Sequence, residues 1–157
     1  MKNTLFIVII FMIVSTLSNA QEDSKYEEMT QRYLVHLENE GYRPTIEDDG
    51  DIKFKKEGLP FYITPETENT FTIATYLALD DDQQCSEELM QLINDYNAGR
   101  IIECAIITES CKTVVLYSAS HLAHVDDWVK IFEKSVLWLD YASDDFFEQY
   151  REWQKDK

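Results

Sequence analysis

The sequence predicts an α+β fold in which three amphipathic helices pack mainly on one face of an antiparallel five-stranded sheet, in the order α-β-β-β-α-β-β-α. Two patterns support this prediction. Apolar residues recur at helical spacing in three segments and alternate with polar residues in the segments between them. Turn-forming residues separate neighbouring strands by only a few positions, and such short connections join antiparallel strands.

The start of the chain has the three-part pattern of a secretory signal peptide over residues 1–20. Lys2 is positively charged, Leu5–Leu17 is an almost unbroken apolar run, and Ser18-Asn19-Ala20 supplies small residues before a cleavage site. The run is shorter than the roughly 18 residues of a membrane-spanning helix, so an uncleaved anchor is the less favoured alternative. We therefore expect an exported protein, periplasmic or secreted. Its mature chain, residues 21–157, is expected to form a single domain without membrane insertion.

The composition is strongly acidic, with 14 Lys and Arg residues against 30 Asp and Glu residues and a formal net charge of −16. Removal of residues 1–20 takes away Lys2 and no acidic residue, so the charge of the mature chain is −17. Such a charge repels nucleic acids and anionic lipid head groups. It favours either a basic protein or peptide partner or simple solubility.

The first half of the chain predicts one helix, about Ser24 to Glu40, followed by strands. Asp48–Asp51 has the composition of a tight hairpin turn, because glycine tolerates a positive φ and Asp bonds its own backbone. After Gly58 the apolar positions change from even to odd numbers, which predicts a one-residue β-bulge there. The expected strands are a short one at Arg43–Glu47, one that runs from Ile52 to Ile63 through the bulge, and Thr70–Leu79.

The second half predicts a helix, a hairpin and a final helix. The helix covers about Ser86 to Asn97, with Asp80-Asp81-Asp82 at its start. A loop of about three residues in the hairpin would place Ile102, Cys104 and Ile106 on the core face with Val114 and Leu116. The hairpin strands are Arg100–Ile107 and Lys112–Ser118, and the last helix begins near Val125, with an interruption at Ser143-Asp144-Asp145 as one alternative.

Leu92-Ile93-Asn94-Asp95-Tyr96-Asn97, followed by a hairpin that ends with Val115-Leu116-Tyr117-Ser118, resembles the YbjN-type family of candidate bacterial sensory-transduction regulators. The similarity spans most of Tyr26–Leu139, and Tyr96-Asn97 matches an aromatic-Asn pair that family members often carry. The family shares the fold of type III secretion chaperones. The resemblance implies a protein-binding or regulatory module without known catalysis.

His121, His124 and Asp126 are the best candidates for chemistry, because two imidazoles and a carboxylate suit a zinc ion with an open position. A small metal-dependent hydrolase is therefore the alternative function. The favoured interpretation is that Asp126 caps the last helix and His124 is solvated. Nucleophile-elbow, Walker and dinucleotide motifs are absent from the sequence. We expect no catalytic residue, no metal and no cofactor.

The sheet face opposite the core is the expected binding surface, because tyrosines among small residues form a flat amphipathic area typical of interfaces. The residues predicted to bind a partner are Tyr62, Tyr76, Val115 and Tyr117, and the same face is expected to carry Thr72, Ala74, Ala105 and Thr113. A homodimer through this face is compatible with the prediction. The alternatives are ordinary half-exposed strand residues, or a face that the C-terminal segment covers.

The three cysteines predict one disulfide, between Cys85 and Cys111, with Cys104 reduced and buried. Cys85 lies at the start of the second helix, which rises about 18 Å. The following strand returns about 23 Å, so the hairpin turn that holds Cys111 comes back to the level of Cys85. Cys104 lies in mid-strand, too far away to reach Cys85. Three free thiols are the alternative.

The first testable prediction concerns export. We expect cleavage between Ala20 and Gln21, because the apolar run is short and small residues precede Gln21. Mass spectrometry of the exported protein should give Gln21 as the first residue. Recovery of an intact chain that begins at Met1 from a membrane fraction would contradict it.

Overall fold

A computed structural model describes residues 24–66, 69–80, 84–100 and 103–155. These residues form one antiparallel sheet of six strands and three α-helices, so the α+β class is as predicted. The signal peptide predicted for residues 1–20 lies outside the described residues. The elements are α1 (residues 24–39), β1 (Thr45–Ile46), β2 (Ile52–Lys56), β3 (Leu59–Thr64), β4 (Thr70–Ala78), α2 (Glu87–Ala98), β5 (Glu103–Ile107), β6 (Thr113–His121) and α3 (Trp128–Lys155).

The predicted count of five strands is wrong, because Ile52–Ile63, expected as one strand with a bulge, forms two paired strands, β2 and β3. The short strand expected within Arg43–Glu47 is present as β1. Thr45 and Ile46 of β1 lie opposite Lys53 and Ile52 of β2. The intervening turn is closed by bonds from the Glu47 amide to the Asp51 carbonyl and from the Gly50 amide to the Glu47 carbonyl, 2.9 and 3.0 Å. The chain order is therefore α-β-β-β-β-α-β-β-α, and the strands lie in the order β1-β2-β3-β4-β6-β5.

The β2–β3 connection shows why the predicted bulge at Gly58 is unnecessary. Glu57 and Gly58 both have positive φ, 52° and 94°, as a two-residue primed turn requires. Lys56 pairs with Leu59 and the register continues unbroken to Ile52 and Ile63. In such a hairpin the even residues of one strand lie opposite the odd residues of the next. The change of parity after Gly58 is a property of the turn, not of an inserted residue.

The β5–β6 hairpin corrects the predicted position of Cys104. The Thr108 amide bonds the Thr113 carbonyl at 2.9 Å, which leaves a loop one residue longer than the three assumed from the sequence. Ala105 therefore lies opposite Leu116 in the core, whereas Cys104 lies opposite Tyr117 on the other face. Cys104 is free but half-buried, so its predicted place in the core is wrong. Ile102, also predicted for the core, lies outside the described residues.

The three helices bury their apolar stripes against the same face of the sheet. The Tyr33 ring of α1 lies 4.6 Å from Trp128 of α3 and 6.1 Å from Phe71 of β4, between ring centres. Tyr96 of α2 lies 5.3 Å from Phe146 of α3. These contacts belong to one core cluster, which also contains Leu37, Phe54, Phe61, Ile73, Leu77, Leu89, Ile93, Val114, Leu116, Phe132, Val136, Leu139 and Tyr150.

The last helix is continuous from Trp128 to Lys155, so the predicted interruption at Ser143 is absent. Ser143 is buried, and its hydroxyl donates to the Leu139 carbonyl at 2.9 Å, one turn earlier. Near the other end, the Tyr150 hydroxyl donates to Asp80 at 3.3 Å. Asp81 and Asp82, which the sequence places before α2, lie outside the described residues; Ser86 is the N-cap of that helix. None of the described helices is both long and apolar enough to cross a membrane.

The structure joins Cys85 to Cys111 by a disulfide, with their Cα atoms 5.2 Å apart. Cys85 directly precedes Ser86, and Cys111 lies buried in the hairpin loop, where its φ is 55°. The bond therefore ties the start of α2 to the far end of the β5–β6 hairpin. This is the pairing that the lengths of the helix and the strand predict.

The second testable prediction is that the disulfide forms in the purified protein. Thiol counting on denatured, unreduced protein should find one thiol, that of Cys104. Reduction should lower the free energy of unfolding by about 3 kcal/mol, since the bridge constrains the unfolded chain. Denaturant titration of a Cys104→Ser variant should show the same loss, and a Cys85→Ser, Cys111→Ser variant should show none. Three titratable thiols would contradict the bridge.

Candidate protein-binding face

The face of the sheet that points away from the helices, called the open face below, carries all four residues predicted to bind a partner. Tyr62, Ala74, Tyr117 and Cys104 lie side by side across β3, β4, β6 and β5. Tyr76 and Val115 form the neighbouring pair. The described part of α3, the C-terminal helix, packs on the other face, so it does not cover these residues. The open face is made of Lys53, Tyr62, Ala74, Tyr76, Cys104, Ile106, Val115 and Tyr117.

Two tyrosines form the centre of the open face. The rings of Tyr62 and Tyr76 meet edge to face, with their centroids 4.7 Å apart. Ala74 pairs directly with Tyr62, and its small side chain leaves room for the larger rings beside it. Tyr76 remains 41% exposed although it packs against its neighbour. Aromatic side chains held in this way give contact area with little loss of conformational entropy, which suits an interface.

The β5 side of the open face is more apolar than the sequence analysis predicts. Ile106 pairs with Val115 and is 50% exposed, although the assumed loop length placed it in the core. Ala105, predicted on this face, is instead 1% exposed in the core. The neighbouring Cys104 raises the pKa of Tyr117, first through a hydrogen bond and then through its charge. Because Ile106 rather than Ala105 lies on the open face, the surface carries one more large aliphatic side chain than predicted.

Charged groups border the tyrosines at the β1–β2 end. Lys53 forms an ion pair with Glu47 at 3.3 Å, and its Nζ lies 5.4 Å from the centre of the Tyr62 ring. Burial raises the pKa of Tyr76, and the negative charges of Asp51 and Asp49 raise it further. Burial also raises the pKa of Asp51, against the effect of a hydrogen bond with Thr64. The open face thus has an apolar centre, and its β2 border carries the acidic groups together with Lys53 and the exposed Lys55.

The β5 edge of the sheet is closed by a side chain of α2. The Asn97 amide nitrogen donates to the Ala105 carbonyl at 2.8 Å, and its oxygen accepts from the Ala105 amide at 2.7 Å. The side chain therefore replaces a neighbouring strand at this position. The adjacent Tyr96 is buried, and its hydroxyl donates to the Ala142 carbonyl at 3.0 Å. An edge satisfied in this way is a poor template for adding a strand.

The residues proposed for a metal site do not converge. His121 is the last residue of β6, opposite Thr70, rather than part of a loop. His124 begins a 3₁₀ turn, where its amide donates to Asp127 at 3.1 Å. Asp126 pairs with Arg32 of α1 and is not the predicted cap; the N-cap is His124, and the Asp127 carboxylate accepts its amide. Within the described ranges, three or more His, Cys, Asp or Glu side chains nowhere gather closely enough to hold a metal.

A cleft of about 730 Å³ lies between α1 and the start of α3. Val35 and Val129 are exposed along it, at 53% and 46%, and the Arg32–Asp126 ion pair contributes to its lining. The imidazole of His36 packs edge to face on Trp128 at 4.7 Å. Its Nε2 atom is buried and has no hydrogen-bond partner among the described residues. Of the three residues proposed for a metal site, only Asp126 lines this cleft.

No protein-family model and no curated protein matches this sequence. Among solved structures, the chain is similar to the crystal structure of YbjN from E. coli, which is described as a candidate transcription regulator. The two chains share a fold. The similarity covers 68% of this chain and 82% of the YbjN chain, with a TM-score of 0.52 and 10% sequence identity. The resemblance predicted from the sequence is confirmed at the level of the fold.

The third testable prediction concerns the closed edge. Asn97→Ala removes both hydrogen bonds to Ala105, so it should lower the free energy of unfolding by about 1–3 kcal/mol. It should also cause self-association that rises with concentration, because the freed edge can pair with a second chain. Denaturant titration and light scattering measure the two effects.

Asn94→Ala is the matched control, because Asn94 is exposed on the same helix and the change in helix propensity is the same. It should raise the free energy of unfolding slightly, because Ala favours the helix more than Asn does, and it should cause no self-association. Equal behaviour of the two variants would show that the Asn97 amide does not protect the edge.

Proposed function

We propose that this protein is an exported, non-enzymatic module that binds another protein or peptide through the open face. The observation that carries the proposal is the side-by-side arrangement of Tyr62, Tyr76 and Tyr117 with exposed Ile106 and with Val115. Single exposed apolar residues are common on soluble proteins, but a contiguous group of them indicates a contact surface. Tyrosine is also among the residues that contribute most to interfaces.

The geometry favours binding by side chains over binding by strand addition. On the β5 edge Asn97 occupies both backbone groups of the central residue Ala105, and the opposite edge strand, Thr45–Ile46, has only two residues. Recognition by strand addition needs a free row of backbone groups. A partner laid across the flat face would instead bury the tyrosine rings. A second copy of this chain is one such partner.

The shared fold is compatible with this role. YbjN is described as a candidate transcription regulator. For this chain we propose a regulatory role as one form that its binding function takes. A formal charge of −16 opposes direct contact with DNA. A regulatory or chaperone-like role would therefore act through protein contacts.

Export is the part of the proposal that depends on residues 1–20. The apolar run and the small residues before Gln21 fit a signal peptide, and a disulfide suits an oxidising compartment. We therefore place the protein in the periplasm or outside the cell.

The fourth testable prediction is that the tyrosines of the open face carry the binding energy. Tyr76→Ala and Tyr117→Ala should each weaken partner capture or self-association by about 2 kcal/mol, or about 30-fold. The measurements are affinity capture from envelope extract with the mature protein and sedimentation of the protein alone. Circular dichroism should show an unchanged fold.

Tyr141→Ala is the matched control, since Tyr141 is a tyrosine on α3 that is 64% exposed, away from the open face. It should bind like the wild type. If both open-face variants also bind like the wild type, the face is only solvated and the proposed function is wrong.

A further inference from the structure

Two carboxylates at the border of the open face have no positive partner among the described residues. Asp51 directly precedes β2 and, two positions before Lys53, lies on the same side of the sheet. Asp49 is held by the turn, where its carboxylate accepts the Asp51 amide at 3.2 Å. Neither residue takes part in a salt bridge within the described part of the chain, whereas the nearby Glu47 pairs with Lys53. A negative charge is therefore left uncompensated beside the tyrosines.

The carboxylates and the tyrosine pair are close enough to act on one ligand. Lys53 lies opposite Tyr62 in the register, so Asp51 is a diagonal neighbour of Tyr62 across the two strands, a distance of about 7–8 Å between Cα atoms. Tyr76 contacts Tyr62 ring to ring at 4.7 Å. Consistent with this placement, the charges of Asp51 and Asp49 raise the pKa of Tyr76.

The tyrosines already show that they accept a cation. The Lys53 ammonium lies 5.4 Å from the centre of the Tyr62 ring, within the range of a cation–π contact. That ammonium is shared with Glu47, and Tyr76 has no such contact among the described residues. Tyr62, the diagonal neighbour of Asp51, and Tyr76, which contacts Tyr62 and is 41% exposed, thus form an aromatic surface that begins beside the two unpaired carboxylates.

We propose that this border is a binding site for an Arg or Lys side chain of the partner polypeptide. The cation lies against the Tyr62–Tyr76 pair and pairs with Asp51 and Asp49, while apolar side chains of the partner cover Val115 and Ile106. The inference deepens the proposed function and rests on it. It assigns the partner a chemistry: a basic segment that also carries apolar residues.

A polypeptide is favoured over other cations by the shape and composition of the face. The apolar residues beyond Tyr76 suit the alkyl stem of a long basic side chain and the residues next to it. A metal ion would want several oxygen ligands at short distance, and no such group occurs in the described ranges. The overall negative charge attracts a basic segment from a distance.

The test uses two fluorescein-labelled peptides and the mature protein. In the first peptide, Arg alternates with Leu over about twelve residues, enough in extended form to cross the sheet. In the second, citrulline replaces every Arg, which keeps the shape and hydrogen-bonding capacity but removes the charge. Fluorescence anisotropy at about 0.15 M salt, where surface charges beyond about 8 Å are screened, should give the Arg peptide at least about tenfold tighter binding.

The Asp49→Asn, Asp51→Asn variant should lose most of this difference between the peptides. An asparagine at position 49 can still accept the hydrogen bond from the Asp51 amide, so the single variant Asp49→Asn preserves the turn. This single variant tests the site if the double variant folds poorly. The control is Asp144→Asn, Glu148→Gln, which removes the same charge from exposed positions of α3. It should keep the full difference.

Three results would overturn the inference: no binding of the Arg peptide by the wild type, equal binding of the two peptides, or an equal loss in the α3 control. The last result would mean that only the net charge matters. Each of these outcomes leaves the proposed function intact if Tyr76→Ala still weakens partner capture. Loss of both effects would remove the proposed function as well.

Discussion

Each strand of this sheet directs every second side chain to the helices and the others to the open face. The length of the turn before a strand determines which residues of that strand face the helices. The two-residue turn at Glu57 and Gly58 places Phe54 opposite Phe61, so both rings enter the core. The loop around Cys111 likewise places Ala105 opposite Leu116. The same two turns fix what lies on the open face, because a strand cannot change one set of side chains without changing the other. Turn length thus determines both the core and the candidate binding surface.

Helix α2 is linked to the β5–β6 hairpin at two points, one hydrogen-bonded and one covalent, and these two links stabilise the β5 edge of the sheet. Near its C-terminal end, Asn97 bonds both backbone groups of Ala105. Before its N-terminal end, Cys85 is joined to Cys111 in the hairpin loop. Between these points, buried Leu89 and Ile93 pack into the core. Because β5 is an edge strand with a neighbour on one side only, these fastenings stabilise the part of the sheet that would otherwise separate most easily.

The fold class can be predicted from the sequence because the spacing of apolar residues distinguishes helices from strands, and packing against the core strongly constrains that spacing. Tyr62, Tyr76, Val115 and Tyr117 were assigned to one face for the same reason, since their strands alternate clearly. Ile106 and Cys104 were misassigned because their strand is apolar on both faces, so its pattern does not reveal which face is buried. The turn at Glu57 and Gly58 resembles a bulge in the sequence, because both change the parity of the apolar positions. The sequence places Asn97 in a family pattern but does not predict its bonds to the backbone of β5, because those bonds depend on how α2 packs against the sheet.

The open face separates two physical contributions to binding. Surface charge acts over a Debye length of about 8 Å at physiological salt, so the carboxylates and the net charge would chiefly affect how fast the proposed basic partner arrives. Burial of tyrosine and aliphatic side chains acts only on contact and chiefly affects how long the partner remains. Tyr62, Tyr76 and Ile106 belong to the second group, and Asp49 and Asp51 to the first. Tyr62 lies between Tyr76 and Asp51, so at this point of the proposed site one cationic side chain could engage both contributions, and selectivity between partners is expected to arise there.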